Sequence, residues 1–208
     1  DPPYCSGGMQ EAQRGAGTWG RLANDNLSTR GYLALLRAVL MVAMPRAAYL
    51  FTDWRMWQQT YEVLESGGLG LKSMIVWDKG TPGLGGLWRT THELVAFADR
   101  GKQKRRAGQN ASANVINLPR AGNRWHYTQK PVEVLRALLA GDAAGERGAC
   151  PVLDPFAGSG STLLAAELEG RACIGIELAP GVADCALARW EAEAAQPVKP
   201  IHAGKGPG

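Results

Sequence analysis

Apolar positions along this chain recur at helical spacing in some stretches and as short continuous runs in others, and the two kinds alternate. Leu33, Leu36 and Leu40 share one face of a helix that Ser28 caps and Pro45 ends, since proline lacks the N–H and crowds the preceding turn. Ala48–Thr52 reads as a short buried strand, Arg55–Glu65 as a second helix stopped by Gly67-Gly68, and Leu71–Trp77 as another apolar strand. Asp78–Arg89 is broken by Gly and Pro, His92–Ala98 is again a strand, and Asp99–Gln109 is a basic turn or loop. From Pro131 the alternation resumes with a helix to about Ala140, a strand at Pro151–Leu153, a Gly-rich turn, a helix from Ser161, a strand at Ala172–Ile176 and a final helix through Trp190. This order predicts an α/β fold with a mostly parallel sheet. The stretch to about Asn26 lacks a sustained apolar period and reads as a loop; the Pro and Gly-rich tail from Gln196 reads as mobile.

A length of 208 residues suits one α/β domain, and no internal repeat divides it. No run of 18 uncharged apolar residues occurs, and the first residues lack the basic-then-apolar pattern of a signal peptide, so a cytoplasmic protein with no membrane partner is expected. Cys5, Cys150, Cys173 and Cys185 are scattered without a Cys-x-x-Cys pair, which argues against zinc or a disulfide framework. Charge is uneven: residues 70–130 hold eleven Lys or Arg against three Asp or Glu, whereas residues 131–208 carry six basic and ten acidic side chains. A polyanion would contact the middle third.

Two segments carry chemistry. Val152–Thr162 joins a strand to a helix through Asp154, Pro155, Phe156, Ala157, Gly158, Ser159 and Gly160, small residues that let backbone approach a ligand at the carboxyl edge of a sheet. The next strand ends in Glu177, about 20 positions after the glycines, where a carboxylate accepts hydrogen bonds from ribose hydroxyls. A nucleoside cofactor is expected, and the missing Gly-x-x-x-x-Gly-Lys pattern argues against a nucleoside triphosphate. A tight turn followed by a solvated glutamate would look the same in isolation, so companion motifs decide.

Asp1-Pro2-Pro3-Tyr4 is the companion. An aryl amine is a poor nucleophile because its lone pair is delocalised into the ring, and a site that accepts both amine hydrogens relocalises it. A carboxylate and a proline-stiffened backbone carbonyl supply the two acceptors, and an adjacent aromatic ring stacks on the base. Four residues alone would equally make a stiff turn.

Together, Asp1–Tyr4 and Asp154–Gly160 resemble the catalytic and cofactor motifs of DNA amino-methyltransferases that use S-adenosylmethionine. Their order, catalytic motif first, is that of the beta class, and His126-Tyr127-Thr128-Gln129-Lys130-Pro131 resembles its third cofactor segment, with Tyr127 where proline is commoner. Phe51–Arg55, Val76–Gly80 and Trp88–Glu93 resemble further segments of phage and bacterial members, so the likeness runs over nearly the whole chain. It implies a Rossmann-like methyltransferase fold with helices on both sheet faces and one catalytic domain over residues 1–208. It further implies that Asp1, Pro2, Pro3 and Tyr4 meet the target base, while Asp154, Phe156, Gly158, Ser159, Gly160, Glu177, Thr128 and Lys130 line the cofactor. The reaction implied extrudes the base from double-stranded DNA and methylates its amine, adenine N6 being the more typical target of an aspartate motif. Members normally carry a strand leading into the catalytic motif, and this chain starts at Asp1. Homodimers are common in the class.

The DNA-facing surface is expected in an inserted basic region at about residues 80–125, with Arg89, Lys102, Lys104, Arg105, Arg106, Arg120 and Arg124 tracking phosphates, and in a mobile loop at residues 7–26. A charge run such as 102–106 is more often simply solvated. Asp53-Trp54-Arg55 and His92-Glu93 are each open to a functional reading and at least equally to that of a strand-end cap or a buried polar pair. Cytosine-N4, RNA and protein-glutamine methylation stay open as alternatives, as does a DNA-binding regulator without catalysis; motif order favours DNA over RNA or protein.

Overall fold

A computed structural model describes residues 1–4, 27–83, 87–101, 112–122, 124–126, 129–141 and 150–194. The 7–26 loop, the 102–106 run, Thr128 and the tail from residue 196 lie outside the described residues.

Helix α1 (Thr29–Ala43) begins where sequence expects it, with the Ser28 hydroxyl accepting from the Gly31 N–H at 3.2 Å. Strand β1 (Ala47–Thr52) leads to helix α2 (Trp57–Ser66). That helix starts two residues later than expected because Asp53 Oδ1 accepts the N–H groups of Arg55 and Met56 at 2.9 and 3.1 Å, holding a turn ahead of it. Strands β2 (Gly70–Asp78) and β3 (His92–Asp99) follow, and then β4 (Val115–Asn117), which no periodicity announced. Helix α3 (Val132–Gly141), β5 (Val152–Asp154), α4 (Ser161–Leu168), β6 (Cys173–Gly175) and α5 (Pro180–Ala194) complete the chain, α5 extending four residues past Trp190.

Four strands form one sheet in the order β1-β3-β2-β4, and β5 pairs with β6 in a second. In the larger sheet β3 runs antiparallel to both neighbours, so β1, β2 and β4 share one direction and β3 opposes them. The β5–β6 pair is parallel. A buried apolar run does not encode strand direction, which is why the longest ladders, both antiparallel, left no trace in the pattern.

Alternation along the strands covers both faces. Ala48 and Leu50 of β1 and Ala96 and Ala98 of β3 pack with Tyr32, Leu36, Leu40, Val63 and Leu64 of α1 and α2. Tyr49 and Phe51 of β1, Val95 of β3 and Trp77 of β2 point the other way, onto Val134, Leu135 and Leu138 of α3 and Ala165 of α4. Each such fully buried aliphatic side chain contributes about 1.5–3 kcal/mol. The second cluster also joins the halves of the chain, because α4 packs on β6 and on α3 while both helices touch the larger sheet.

Candidate active site

Strands β1 and β2 end at Thr52 and Asp78, and their partners across β3 are Leu94 and His92. Antiparallel pairing therefore delivers Glu93, at the start of β3, to the carboxyl edge of two parallel strands, the edge where open α/β sheets bind ligands. Lys79 follows β2 directly and is buried; its backbone N–H donates to the Thr91 carbonyl at 2.8 Å and its Nζ lies 3.2 Å from Glu93 Oε1.

The Asp1–Tyr4 segment lies against this edge. Tyr4 packs on the Phe51 and Trp77 cluster, and its hydroxyl reaches Glu93 Oε2 at 2.8 Å and Asp1 Oδ1 at 3.1 Å. A phenol has one hydrogen, and the shorter distance assigns it to Glu93. Lys130 closes the group: its Nζ stands 3.1 Å from Asp1 Oδ2, 3.0 Å from Glu93 Oε2 and 3.3 Å from the Tyr4 oxygen, between the rings of Tyr4 and Phe51. Two ammonium groups thus face two carboxylates and a phenol in a largely buried space.

The electrostatics follow from that balance. Burial pushes the Glu93 carboxyl up, but the charges of Lys130 and Lys79 and hydrogen bonds from Lys130 and Tyr4 outweigh it and bring it down to about 2. Burial, and next the negative charge of Glu93, hold the Tyr4 hydroxyl well above its ordinary range. Burial pulls the Lys79 ammonium down, partly opposed by Glu93.

Around the glycine turn, Asp154 is buried and its Oδ1 accepts from the Phe156 N–H at 3.0 Å, starting the turn. Gly158 and Gly160 take left-handed conformations with φ of 51° and 78°, and a Cβ on Gly160 would stand 3.0 Å from that of Ala186. Glu177 faces the turn: Oε2 accepts from the Gly158 N–H at 3.0 Å and Oε1 from the Ala179 N–H at 2.9 Å. Both carboxylate oxygens are fixed by backbone, and each keeps a lone pair for a further donor. Phe156 packs against the α1 and α2 cluster, and Ser159 is buried against Arg189.

His126 and Lys130 make contacts on the two sides. His126 is buried, and burial pulls its imidazole down while the nearby charge of Glu177 raises it. Four residues on, the Lys130 ammonium reaches Asp1 Oδ2 at 3.1 Å, while its carbonyl accepts from Ser161 Oγ at 2.7 Å.

Of the cations expected to face DNA, Arg89, Arg120 and Arg124 are exposed. Arg120 lies against Gly83 and close enough to Lys79 for its charge to register there, so it borders the cluster. Arg124 sits elsewhere, 5.3 Å above the Trp125 ring. Sequence reasoning weighed Glu93 as a buried polar pair and did not single out Lys79 as a site residue. The available signal was a carboxylate at the head of the apolar run Leu94–Ala98 and a lysine directly after the preceding strand.

Comparisons with known proteins bear on the family of the chain. The sequence model of the N6_N4_Mtase family, described as DNA methylase, matches residues 1–188. A protein of Escherichia coli (strain K12) that carries the name methylase YubD is 30% identical over 183 residues, covering 86% of this chain and 74% of its own length. Among solved structures, that of the M1.HpyAVI–SAM complex aligns with a TM-score of 0.64 at 24% identity, over 77% of this chain and 83% of that one. The PvuII DNA methyltransferase, specific for cytosine N4, aligns with a TM-score of 0.65 at 12% identity, over 82% and 74%. At those identities the structures show a shared fold, and the family match shows more: this chain belongs to the N6/N4 family of DNA methylases.

Proposed function

We propose that this chain transfers a methyl group from S-adenosylmethionine to the exocyclic amine of a base in double-stranded DNA, with adenine N6 as the acceptor. The observation that carries the proposal is the placement of the Asp1 carboxylate, whose Oδ2 lies 3.1 Å from Lys130 Nζ and whose Oδ1 lies 3.1 Å from the Tyr4 hydroxyl.

The turn suits the cofactor. Glu177 offers two anchored carboxylate oxygens to ribose hydroxyls, and Gly158 leaves backbone bare beside them. Glu177, Gly158 and Gly160 would hold the nucleoside, which brings with it a methyl group on a sulfonium. On the other side, the Asp1 carboxylate and the Pro2 carbonyl would accept the two amine hydrogens and localise the lone pair on the nitrogen that takes the methyl, the sulfonium leaving as a neutral thioether and the amine giving up one proton. Tyr4, its hydroxyl tethered to Glu93, presents its ring to an extruded base and offsets part of the few kcal/mol that unstacking costs. The aspartate at the head of the motif favours adenine over cytosine.

The test is to incubate the protein with tritiated S-adenosylmethionine and unmethylated duplex DNA, digest the DNA and separate its nucleosides. Label on N6-methyladenine is the expected result. Label on N4-methylcytosine would keep the site and overturn the base, and label on no nucleoside despite cofactor binding would overturn the DNA acceptor.

A further inference from the structure

Arg189 is the largest fully buried side chain of the described residues, 1% exposed on α5, and no part of the methyl-transfer chemistry requires it. A buried guanidinium unsupported by partners costs several kcal/mol, so its contacts must account for its presence where a leucine or methionine would otherwise serve. Its Nη1 donates to the Ser161 Oγ at 2.8 Å, to the Ser159 carbonyl at 3.2 Å and to the Ser159 Oγ at 3.3 Å. Its Nε meets Glu193 Oε2 at 3.3 Å.

Each partner leads somewhere functional. Ser159 lies between the two left-handed glycines of the turn. Ser161, whose Oγ accepts from Arg189, passes its own hydrogen to the Lys130 carbonyl at 2.7 Å. Glu193 uses its other oxygen to accept from the Trp125 Nε1 at 2.7 Å, and the Trp125 carbonyl accepts from the Cys185 thiol at 3.3 Å. Trp125 is therefore pinned to α5 through Glu193, and Lys130 to α4 through Ser161.

We propose that Arg189 and Ser161 are positioning residues that set the glycine turn and the Lys130 ammonium in one register, so that the cofactor side and the Asp1 side of the site are aligned by a single buried hydrogen-bonded relay. The inference rests on the proposed methyl-transfer reading but can be tested apart from it. Arginine is suited to the task because its planar fork reaches Ser159, Ser161 and Glu193 together, which a lysine cannot do. The relay also makes Ser161 more than a helix start: without its hydroxyl, Arg189 loses its shortest bond and the Lys130 carbonyl loses its donor.

The experiment is a double-mutant cycle on S-adenosylhomocysteine affinity, read by calorimetry for wild type, Ser161→Ala, Arg189→Met and the double variant, with single-turnover methylation of DNA measured alongside. The relay predicts that Arg189→Met weakens binding about tenfold, Ser161→Ala about threefold, and the pair no more than Arg189→Met alone, because partners in one network are not additive. Ser161→Ala should also slow single-turnover transfer about tenfold, beyond its effect on affinity, and Ser161→Thr, which keeps the hydroxyl, should recover both. Additive losses, or a Ser161→Ala protein that melts lower but binds and transfers like wild type, would overturn the proposal. Should Arg189→Met fail to fold, Ser161→Ala against Ser161→Thr decides it. A wild type that binds S-adenosylhomocysteine but methylates no DNA would sink the methyl-transfer reading, while the affinity cycle would still judge the relay.

Discussion

The ammonium of Lys130 lies 3.1 Å from a carboxylate oxygen of Asp1, although 129 positions separate them in sequence. Lys130 also serves Glu93 at 3.0 Å, so one cation neutralises the carboxylate that would accept the target amine and the one that tethers Tyr4. Removing it should leave the Asp1 and Glu93 carboxylates without the ammonium they share, Glu93 keeping its contact with Lys79. Lys130→Met is predicted to lower stability by about 3 kcal/mol, the scale expected when one partner of a buried ion pair is lost. It should also cut single-turnover methyl transfer about 100-fold. Urea unfolding and rapid-quench assays check the two parts.

Glu93 gives the fold a defined acid sensitivity. Its folded-state value is depressed from 4.5 to about 2, so the stability it contributes is present above the unfolded value and is lost as pH falls from about 5 toward about 2. The full swing is on the order of 3 kcal/mol. Unfolding free energy measured against pH should fall less steeply across that window for Glu93→Gln than for wild type. Parallel curves would contradict the placement of Glu93 between two ammonium groups.

Glu177 is bound by the Gly158 and Ala179 N–H groups, so its replacement acts on the turn as well as on the ribose it would hold. Glu177→Ala should weaken S-adenosylhomocysteine binding about 100-fold, two charge-assisted hydrogen bonds being worth about 3 kcal/mol or more. Glu177→Gln, which keeps one acceptor, should lose less. Calorimetry on the two variants tests the order.

Arg120 is exposed at the border of the Lys79 and Glu93 cluster. Arg120→Ala should weaken DNA binding similarly on all sequences and reduce the slope of log affinity against log salt by about 1, the signature of one lost phosphate contact. An unchanged slope would remove Arg120 from the DNA-facing surface.

How much of this was legible beforehand divides by physical cause. Local signals were faithful: the Ser28 cap, the glycines after α2 and the strand at Asp154 lie where residue chemistry puts them. Strand β4 was missed because three residues, Val115–Asn117, carry too little periodicity, and its ladder depends on Asp78 and Trp77 from far away, down to the Trp77 Nε1 bond to the Leu118 carbonyl. Asp1, Tyr4, Gly158 and Glu177 stand out in the sequence because each motif is local to one segment. The partners of Tyr4 do not: Glu93 reaches it only through the β2–β3 register, and Lys130 only through the shared core beneath α3 and α4. Arg189 had no signal at all, since a buried arginine on a helix is indistinguishable in sequence from a solvated one.

The most direct test of the account is single-turnover methyl transfer to duplex DNA by wild type and Asp1→Ala, with S-adenosylhomocysteine affinity measured on the same preparations. Asp1 is predicted to act on the acceptor amine and not on the cofactor, so Asp1→Ala should keep its affinity within about threefold while transfer falls at least about 100-fold. Equal transfer by the two proteins would contradict the assignment of Asp1–Tyr4 as the catalytic motif, and with it the account of the site.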